Sequence, residues 1–177
     1  MFILLERLTA RITDKIITLT QRGKDEHIKF KIARADKFVP IYSGIELERF
    51  INSSYDPIPM RESLGISPNG PVIGTITRLE PVKGNIYFIE AISQVIKIFP
   101  TLKVIIAGDG TQRKMIENRI EALSLTRNVI LLGATNEVPK VLSALDIFVL
   151  SPLNEGMGRC LLEAMAMSKP VVATSVG

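Results

Sequence analysis

The sequence has one cysteine and no long apolar run, and each shortage excludes a class of protein. With Cys160 as the only cysteine, the chain has no internal disulfide and no cysteine cluster for a metal ion. No apolar stretch approaches the roughly 18 residues that a membrane-spanning helix needs. The apolar opening of the chain meets Glu6 and Arg7 too soon for a secretory signal. We therefore expect a cytoplasmic protein and interpret Cys160 as a small packing residue.

The net charge is small and mixed in sign. The formal charge is +4, and residues 1–50 carry +3 of it, with ten Lys and Arg against seven Asp and Glu. Such a mild balance argues against nucleic acid as a partner. A basic face that contacts an acidic membrane surface stays open as an alternative to a solvated face. His27 lies among charged residues, so we assign it to the surface and give it no chemistry.

Apolar residues are plentiful and are arranged in alternating strand and helix patterns. They make up 46% of the chain, which is enough for a packed core. The predicted strands are 72–77, 102–107, 128–132, 147–150 and 170–173, and the predicted helices between them are 85–99, 110–123, 136–145 and 159–167. Near-continuous apolar strands separated by amphipathic helices indicate an α/β protein whose parallel sheet is covered on both faces. With right-handed crossovers this is a Rossmann-like, doubly wound fold.

The first 70 residues differ from this pattern. Residues 1–50 contain helical spacing at both 5–12 and 24–34, with extended stretches at 15–20 and 37–42, and resemble the end of another domain. Residues 51–70 are rich in Asn, Ser, Pro and Gly, which predicts a linker. Residues 71–177 are then a second domain.

Two glutamates frame a glycine turn after the strand at 147–150. Glu155 stands in the loop, and Glu163 stands eight positions later in the predicted helix. Gly156 and Gly158 allow the backbone to turn tightly and to approach a ligand, and the first N–H groups of the helix favour an anion such as phosphate. This combination suits a ligand with hydroxyls and phosphates, such as a nucleotide sugar. The alternative is an ordinary strand–loop–helix unit with two solvated glutamates.

Two cations follow the strand at 72–77. Arg78 and Lys83 are separated by a proline turn, and Gly84 comes directly before the next helix. At the carboxyl edge of a parallel sheet, both side chains can converge on a diphosphate. A solvated surface pair is the alternative.

Two common nucleotide motifs are absent. The stretch after the strand at 102–107 has Gly108 and Gly110, but Arg113 stands where the dinucleotide fingerprint requires a third glycine. Pro71 stands where a P-loop that includes Gly70 would require lysine. The sequence therefore argues against an oxidoreductase and against a P-loop enzyme.

Together these stretches resemble a known family. Glu155–Glu163 resembles the E-x7-E motif of retaining glycosyltransferases of the GT-B fold, family 4, and 78–84 resembles the family's R-L-x-x-x-K-G stretch. Further similar stretches are 43–46, 107–110, 133–136 and 169–173, so the resemblance covers nearly all of residues 37–177. The chain departs from the family at Met157, where an aromatic residue is usual, and at Ser168, where glycine is common.

The resemblance implies transfer of a sugar from a nucleotide-diphosphate sugar to a glycan, lipid or small-molecule acceptor. It implies that Glu163 binds the ribose diol, that Glu155 binds sugar hydroxyls, and that the backbone of 156–158 (Gly156, Met157 and Gly158) contacts sugar and phosphate. Arg78 and Lys83 would stabilise the diphosphate. Glu155, Arg78 and Lys83 are thus the expected catalytic residues, without Glu155 acting as a nucleophile. No cofactor or metal is expected besides the co-substrate.

The resemblance also sets the limits of what this chain is expected to do. It implies that residues 1–50 are the end of an amino-terminal, acceptor-side domain and that the donor-binding domain at 71–177 is incomplete at its carboxyl end. An amino-terminal domain supplies acceptor contacts in this fold, so we expect the chain to bind donor without catalysing transfer. Two alternatives stay open, a nucleotide-sugar epimerase of the same architecture and a non-catalytic nucleotide-sugar-binding module.

Overall fold

The computed structural model describes residues 2–51 and 55–176 and divides them into two compact units. The smaller unit holds the residues up to Gly44 together with Glu155–Arg159. The larger unit holds Ile45–Asn154 and Cys160–Val176. Each unit has its own apolar core, so the two are described separately.

The smaller unit contains two short parallel strands, two α-helices and a short 3₁₀ helix at Ala35–Lys37. Its elements are α1 (Phe2–Ile12), β1 (Ile16–Thr18), α2 (Gln21–Lys29) and β2 (Phe38–Pro40), with Ile16 opposite Phe38 in the register. Helix α2 begins before the predicted residue 24 because the Thr20 side chain accepts a hydrogen bond from the backbone of Gly23 at 3.0 Å and caps the helix.

The larger unit is built on a five-stranded parallel sheet, as the sequence predicts. Its strands are β3 (Val72–Ile76), β4 (Lys103–Ala107), β5 (Val129–Gly133), β6 (Ile147–Leu150) and β7 (Val171–Ala173), in the spatial order β5-β4-β3-β6-β7. The helices are α3 (Glu48–Ile51), α4 (Pro57–Ser63), α5 (Asn85–Ile98), α6 (Arg113–Ala122), α7 (Val138–Ala144) and α8 (Arg159–Ala166). All four strand pairings are parallel. This is the predicted α/β, Rossmann-like architecture.

Strand β4 shows how the sheet divides the core of the larger unit. Val104 and Ile106 belong to one apolar cluster, whereas Ile105 and Ala107 belong to the other, and all four are fully buried. Successive strand residues point to opposite faces of a sheet. Both faces of β4 are therefore covered, which explains its uninterrupted apolar sequence.

The segment 51–70 differs from the linker that its composition predicts. Its described residues belong to the larger unit, where α4 packs against α7, and the two units divide between Gly44 and Ile45. Prolines are compatible with α4 because they stand in its first turn, where a backbone N–H has no partner within the helix. Residues 52–54 lie outside the described part of the chain. The origin of the first unit in an acceptor-side domain stays a prediction.

Two cations hold the carboxyl end of α7. Arg61 is buried and donates through Nε to the carbonyl of Ala144 at 2.9 Å. Lys169 donates to the carbonyls of Ser143 and Leu145 at 2.9 and 2.7 Å. Burial lowers the pKa of Lys169, and a nearby carboxylate opposes this shift. The last carbonyls of the helix thus find charged donors, which also suit its dipole.

Ser168 ends α8 in a left-handed conformation, with φ of 56°. The backbone N–H of the following residue, Lys169, donates to the carbonyl of Ala164 at 3.0 Å, as in a Schellman cap. Glycine adopts this conformation at lower cost, so the departure from the family at Ser168 falls at a helix cap, as the sequence indicated.

Candidate functional site

A cleft of about 320 Å³ lies at the carboxyl ends of three neighbouring strands of the larger unit. It is lined by residues that end β3, β4 and β5 or follow them directly: Ile76, Thr77, Arg78, Ala107, Gly108, Asp109, Ala134 and Thr135. Ligands of open α/β sheets bind outside this edge. The cleft therefore contains the predicted Arg78 and borders the loop at 133–136.

Backbone packing explains the two glycines after β4. Gly108 has a φ of 135°, and a Cβ there would press on the carbonyl of Thr77. A Cβ at Gly110 would lie 2.6 Å from the carbonyl oxygen of Leu79. Both glycines are thus required by the loop after β3, which approaches the loop after β4 within contact distance.

The backbone at Arg78 is fixed while its side chain faces solvent. Asn85, which is 1% exposed, donates through Nδ2 to the carbonyl of Arg78 at 3.1 Å. Leu79 is fully buried and donates its N–H to the carbonyl of Asp109 at 2.9 Å. Arg78 is thereby presented at the rim of the cleft from an ordered loop. Asn85 has no predicted role in the sequence, although an asparagine after the glycine of R-L-x-x-x-K-G was a usable signal.

Lys83 ends a short 3₁₀ turn (Pro81–Lys83) on the same loop and is half-buried. The next residue, Gly84, has a φ of 63°, and a Cβ there would press on the carbonyl of Ser151. Leu153 donates its N–H to the carbonyl of Val82 at 2.9 Å. The structure therefore brings Arg78 and Lys83 onto one loop, which packs against the chain that leaves β6.

The glycine turn after β6 groups with the smaller unit. Glu155, Met157 and Gly158 are half-buried and Gly156 is exposed. Among the described residues, no heavy atom outside the neighbouring residues lies within 4 Å of a Cβ added at Gly156. Nothing in the described chain thus requires glycine at this position, in contrast to Gly84.

Glu163 lies one turn into α8. The neighbouring Ala164 is fully buried in the core of the larger unit, and the Glu163 side chain is half-buried. The predicted site residues are therefore divided between the two units. Arg78, Lys83 and Glu163 belong to the larger unit, and the stretch 155–158 belongs to the smaller one.

The loop that carries both cations also holds an acid, Glu80, for which the sequence predicts no role. Glu80 accepts hydrogen bonds from Thr111, and these lower the pKa of its carboxyl, as does the charge of Arg78. The pairing joins two loops 31 residues apart, so no local pattern identified it.

Within the described ranges, no group of three or more His, Cys, Asp and Glu side chains is placed to hold a metal ion. In the same ranges, every helix is too short or too polar to cross a membrane.

Curated proteins that are similar to this chain in sequence include two sugar transferases. A galactosyltransferase of Escherichia coli that uses UDP-Gal and GlcNAc-diphosphoundecaprenol is 30% identical over 175 residues, which are 97% of this chain and 45% of that protein. A GDP-mannose-dependent phosphatidylinositol monomannoside mannosyltransferase of Corynebacterium glutamicum is 32% identical over 79% of this chain and 39% of that protein. The chain thus spans less than half the length of these curated relatives.

A solved structure and a family model agree with the relatives. The crystal structure of Anabaena HepE in complex with UDP and glucose matches with a TM-score of 0.87 and 27% identity, over 100% of this chain and 50% of that one. The model of the family described as glycosyl transferases group 1 matches residues 58–177. Because that match covers more than half of the sequence, this chain belongs to the glycosyl transferases group 1 family.

Proposed function

We propose that the protein is a retaining glycosyltransferase that moves a sugar from a nucleotide-diphosphate sugar to a glycan, lipid or small-molecule acceptor. In this proposal the chain supplies mainly the donor-binding half of the enzyme. The observation that carries the proposal is the strand-end cleft of the larger unit with Arg78 at its rim. It lies where open α/β sheets bind ligands, in a chain that belongs to a transferase family.

The nucleotide base is expected in this cleft, beside Ala134 and Thr135. The contacts there would be largely to backbone, so the residues leave the base open. HepE was solved with UDP and also with UDP-glucose, whereas the Corynebacterium relative is named for GDP-mannose. We choose UDP as the first probe because the HepE match extends over the whole chain.

Charge stabilisation is assigned to the two cations of one loop. Arg78 would engage phosphate oxygens through its guanidinium fork, and Lys83 would act as a point charge. Fixed positive charge favours the leaving diphosphate as the glycosidic bond breaks. This proposal uses no metal ion.

The two glutamates are assigned to hydroxyl groups of the donor. One carboxylate can accept hydrogen bonds from two neighbouring hydroxyls, which suits Glu163 for the ribose diol. Glu155 would bind hydroxyls of the transferred sugar. The backbone at 156–158 would approach the sugar and the phosphate.

The test is equilibrium binding of UDP, GDP and ADP and their glucose or mannose conjugates to the chain and to Glu163→Ala, by isothermal titration calorimetry. Glu121→Ala is the matched control, because Glu121 is an exposed glutamate on α6. We expect one nucleotide to bind preferentially, Glu163→Ala to weaken it about tenfold, and the control to leave it unchanged. Circular dichroism checks that each variant is folded. A folded wild-type chain that binds none of these ligands would exclude a donor site on this chain.

Two other functions make different predictions. A nucleotide-sugar epimerase would convert the bound sugar nucleotide without an acceptor, which chromatography of the recovered nucleotide detects. A non-catalytic binding module would bind the same ligands but would show no transfer in any longer form of the protein. Whether the transferred sugar keeps the anomeric configuration that it has in the donor is tested by proton NMR of the product.

A further inference from the structure

Two hydrogen bonds join the loop that carries both cations to the next loop of the sheet edge. The Glu80 carboxylate accepts from the backbone N–H of Thr111 through Oε1 at 3.1 Å. It accepts from the Thr111 hydroxyl through Oε2 at 2.7 Å. Both carboxylate oxygens are therefore engaged by one residue of the loop before α6.

The backbone on the buried side of this pair is already close-packed. Leu79 donates its N–H to the carbonyl of Asp109, and its carbonyl accepts the N–H of Gln112 at 2.8 Å. A Cβ at Gly110 would lie 2.9 Å from Oε1 of Glu80. Since Thr111 is exposed and Glu80 half-buried, the pair closes the contact between the two loops on the solvent side.

Glu80 also stands between the two cations in the chain. Its carbonyl accepts the N–H of Lys83 at 2.9 Å and so begins the turn that ends at this lysine. Its side chain does not cap that turn. A carboxylate released from Thr111 would be free to pair with Arg78, whose charge already lowers the pKa of this group.

We infer that Glu80 and Thr111 are positioning residues of the donor site. Their hydrogen bonds hold the loop that carries both cations and presents Arg78 at the cleft. They also keep both oxygens of the Glu80 carboxylate engaged by Thr111, so that Arg78 is not drawn into an ion pair with it. This inference rests on the proposed function, because it assigns the cations to a diphosphate.

The test compares binding of UDP and UMP, because only UDP carries the second phosphate that the loop would engage. Glu80→Ala and Thr111→Val remove hydrogen bonds of the pair, whereas Glu80→Gln and Thr111→Ser can remake them. We expect the first two variants to bind UDP about five- to tenfold more weakly, with UMP affinity unchanged. Glu80→Gln and Thr111→Ser should bind both ligands about as the wild type does.

A second readout does not need the ligand. Backbone amide exchange of residues 77–84, followed by mass spectrometry, should be faster in Thr111→Val than in the wild type and unchanged in Thr111→Ser. This keeps the inference testable if Glu80→Ala fails to fold, because valine at an exposed position is the milder change.

The outcomes separate this inference from the function on which it rests. Tighter UDP binding by both Glu80→Ala and Glu80→Gln would show that Glu80 acts by repulsion alone. An equal loss of UDP and UMP would show a general structural role. Either result would overturn the inference while leaving the donor site in place. A wild-type chain that binds neither nucleotide would instead remove the proposed function and this inference with it.

Discussion

Gly84 and Gly156 each stand between a strand and the helix that follows it, yet they meet different surroundings. Gly84 has a positive φ and lies against the carbonyl of Ser151, whereas a Cβ at Gly156 would meet no described heavy atom within 4 Å. The first glycine is thus required by the fold. The second is free to serve a ligand that approaches the backbone, which is the role that the resemblance predicts.

We expect Gly84→Ala to lower the free energy of unfolding by about 2 kcal/mol or more, through strain and displacement of the Ser151 carbonyl. Gly156→Ala should stay within about 0.5 kcal/mol of the wild type but should weaken UDP-glucose binding. Urea unfolding and calorimetry measure the two effects. Unchanged UDP-glucose affinity in Gly156→Ala would contradict the backbone contact assigned to this turn.

Glu80 predicts a pH dependence of stability. Its hydrogen bonds with Thr111 lower its pKa in the folded chain, so the folded state favours the ionised form. The stability that the Glu80 carboxyl contributes is therefore fully present above the pKa of an unfolded glutamate, about 4.3. It is lost as the pH falls through the lowered pKa of the folded state. Urea unfolding at about pH 7 and about pH 3 should show a wild-type advantage over Glu80→Gln only at the higher pH. An advantage that persists in acid would assign the stabilisation to another cause.

At the scale of elements, the position of α7 depends on charged side chains from distant parts of the chain. Arg61 donates to four oxygens, those of Ala144, Pro68, Gly70 and the Asp146 carboxylate, at 2.6 to 3.1 Å. Asp146 in turn accepts the N–H of Val72 at 2.8 Å. One guanidinium thus joins α4, α7 and the beginnings of β3 and β6.

We expect Arg61→Ala to lower the free energy of unfolding by about 3 kcal/mol, because it leaves the buried carbonyl of Ala144 and two part-buried carbonyls without this donor and removes the charge paired with Asp146. Arg61→Lys should recover little, since an ammonium lacks the guanidinium fork. Lys114→Ala is the control, because the side chain of Lys114 is 79% exposed in its ion pair with Glu117. Equal, small effects of Arg61→Ala and Lys114→Ala would show that the Arg61 network adds little.

The cap of α8 offers a stabilising change. Ser168→Gly should raise the free energy of unfolding by about 0.5–1 kcal/mol, because glycine accepts the left-handed φ of 56° without steric cost. Ser67→Gly, at an exposed serine whose φ is not positive, should have the opposite sign. Thermal unfolding followed by circular dichroism measures both, and a destabilised Ser168→Gly would contradict this account of the cap.

At the scale of the whole molecule, the chain spans 45% of its Escherichia coli relative and 50% of HepE. Under the proposed function this chain supplies mainly the donor-binding half of the enzyme, so we expect donor binding without sugar transfer. We expect this chain to bind UDP-glucose or another sugar nucleotide but to release no nucleoside diphosphate over hours, with or without lipid or glycan acceptors. A coupled assay for free UDP measures this. Steady UDP release that Arg78→Ala abolishes would show instead that the chain is catalytically complete.

The sequence by itself determined the strand–helix alternation, because β-strands buried on both faces need uninterrupted apolar runs and their helices need one apolar stripe. It also indicated Arg78, Lys83, Glu155 and Glu163 as candidates, since motif spacing is local. Helix ends were less predictable. For example, α6 begins at Arg113 rather than at 110 because the loop before it bonds to the loop after β3.

Only the tertiary structure decided which polar residues form hydrogen bonds with each other. Glu80 with Thr111, Asn85 with the Arg78 carbonyl, and Arg61 with Asp146 are pairs that the fold makes. The composition of 51–70 predicted a linker, yet Arg61 anchors that segment to the larger unit. Hydrogen bonds between distant residues depend on where the backbone brings their atoms, and no local pattern of residue types encodes that position.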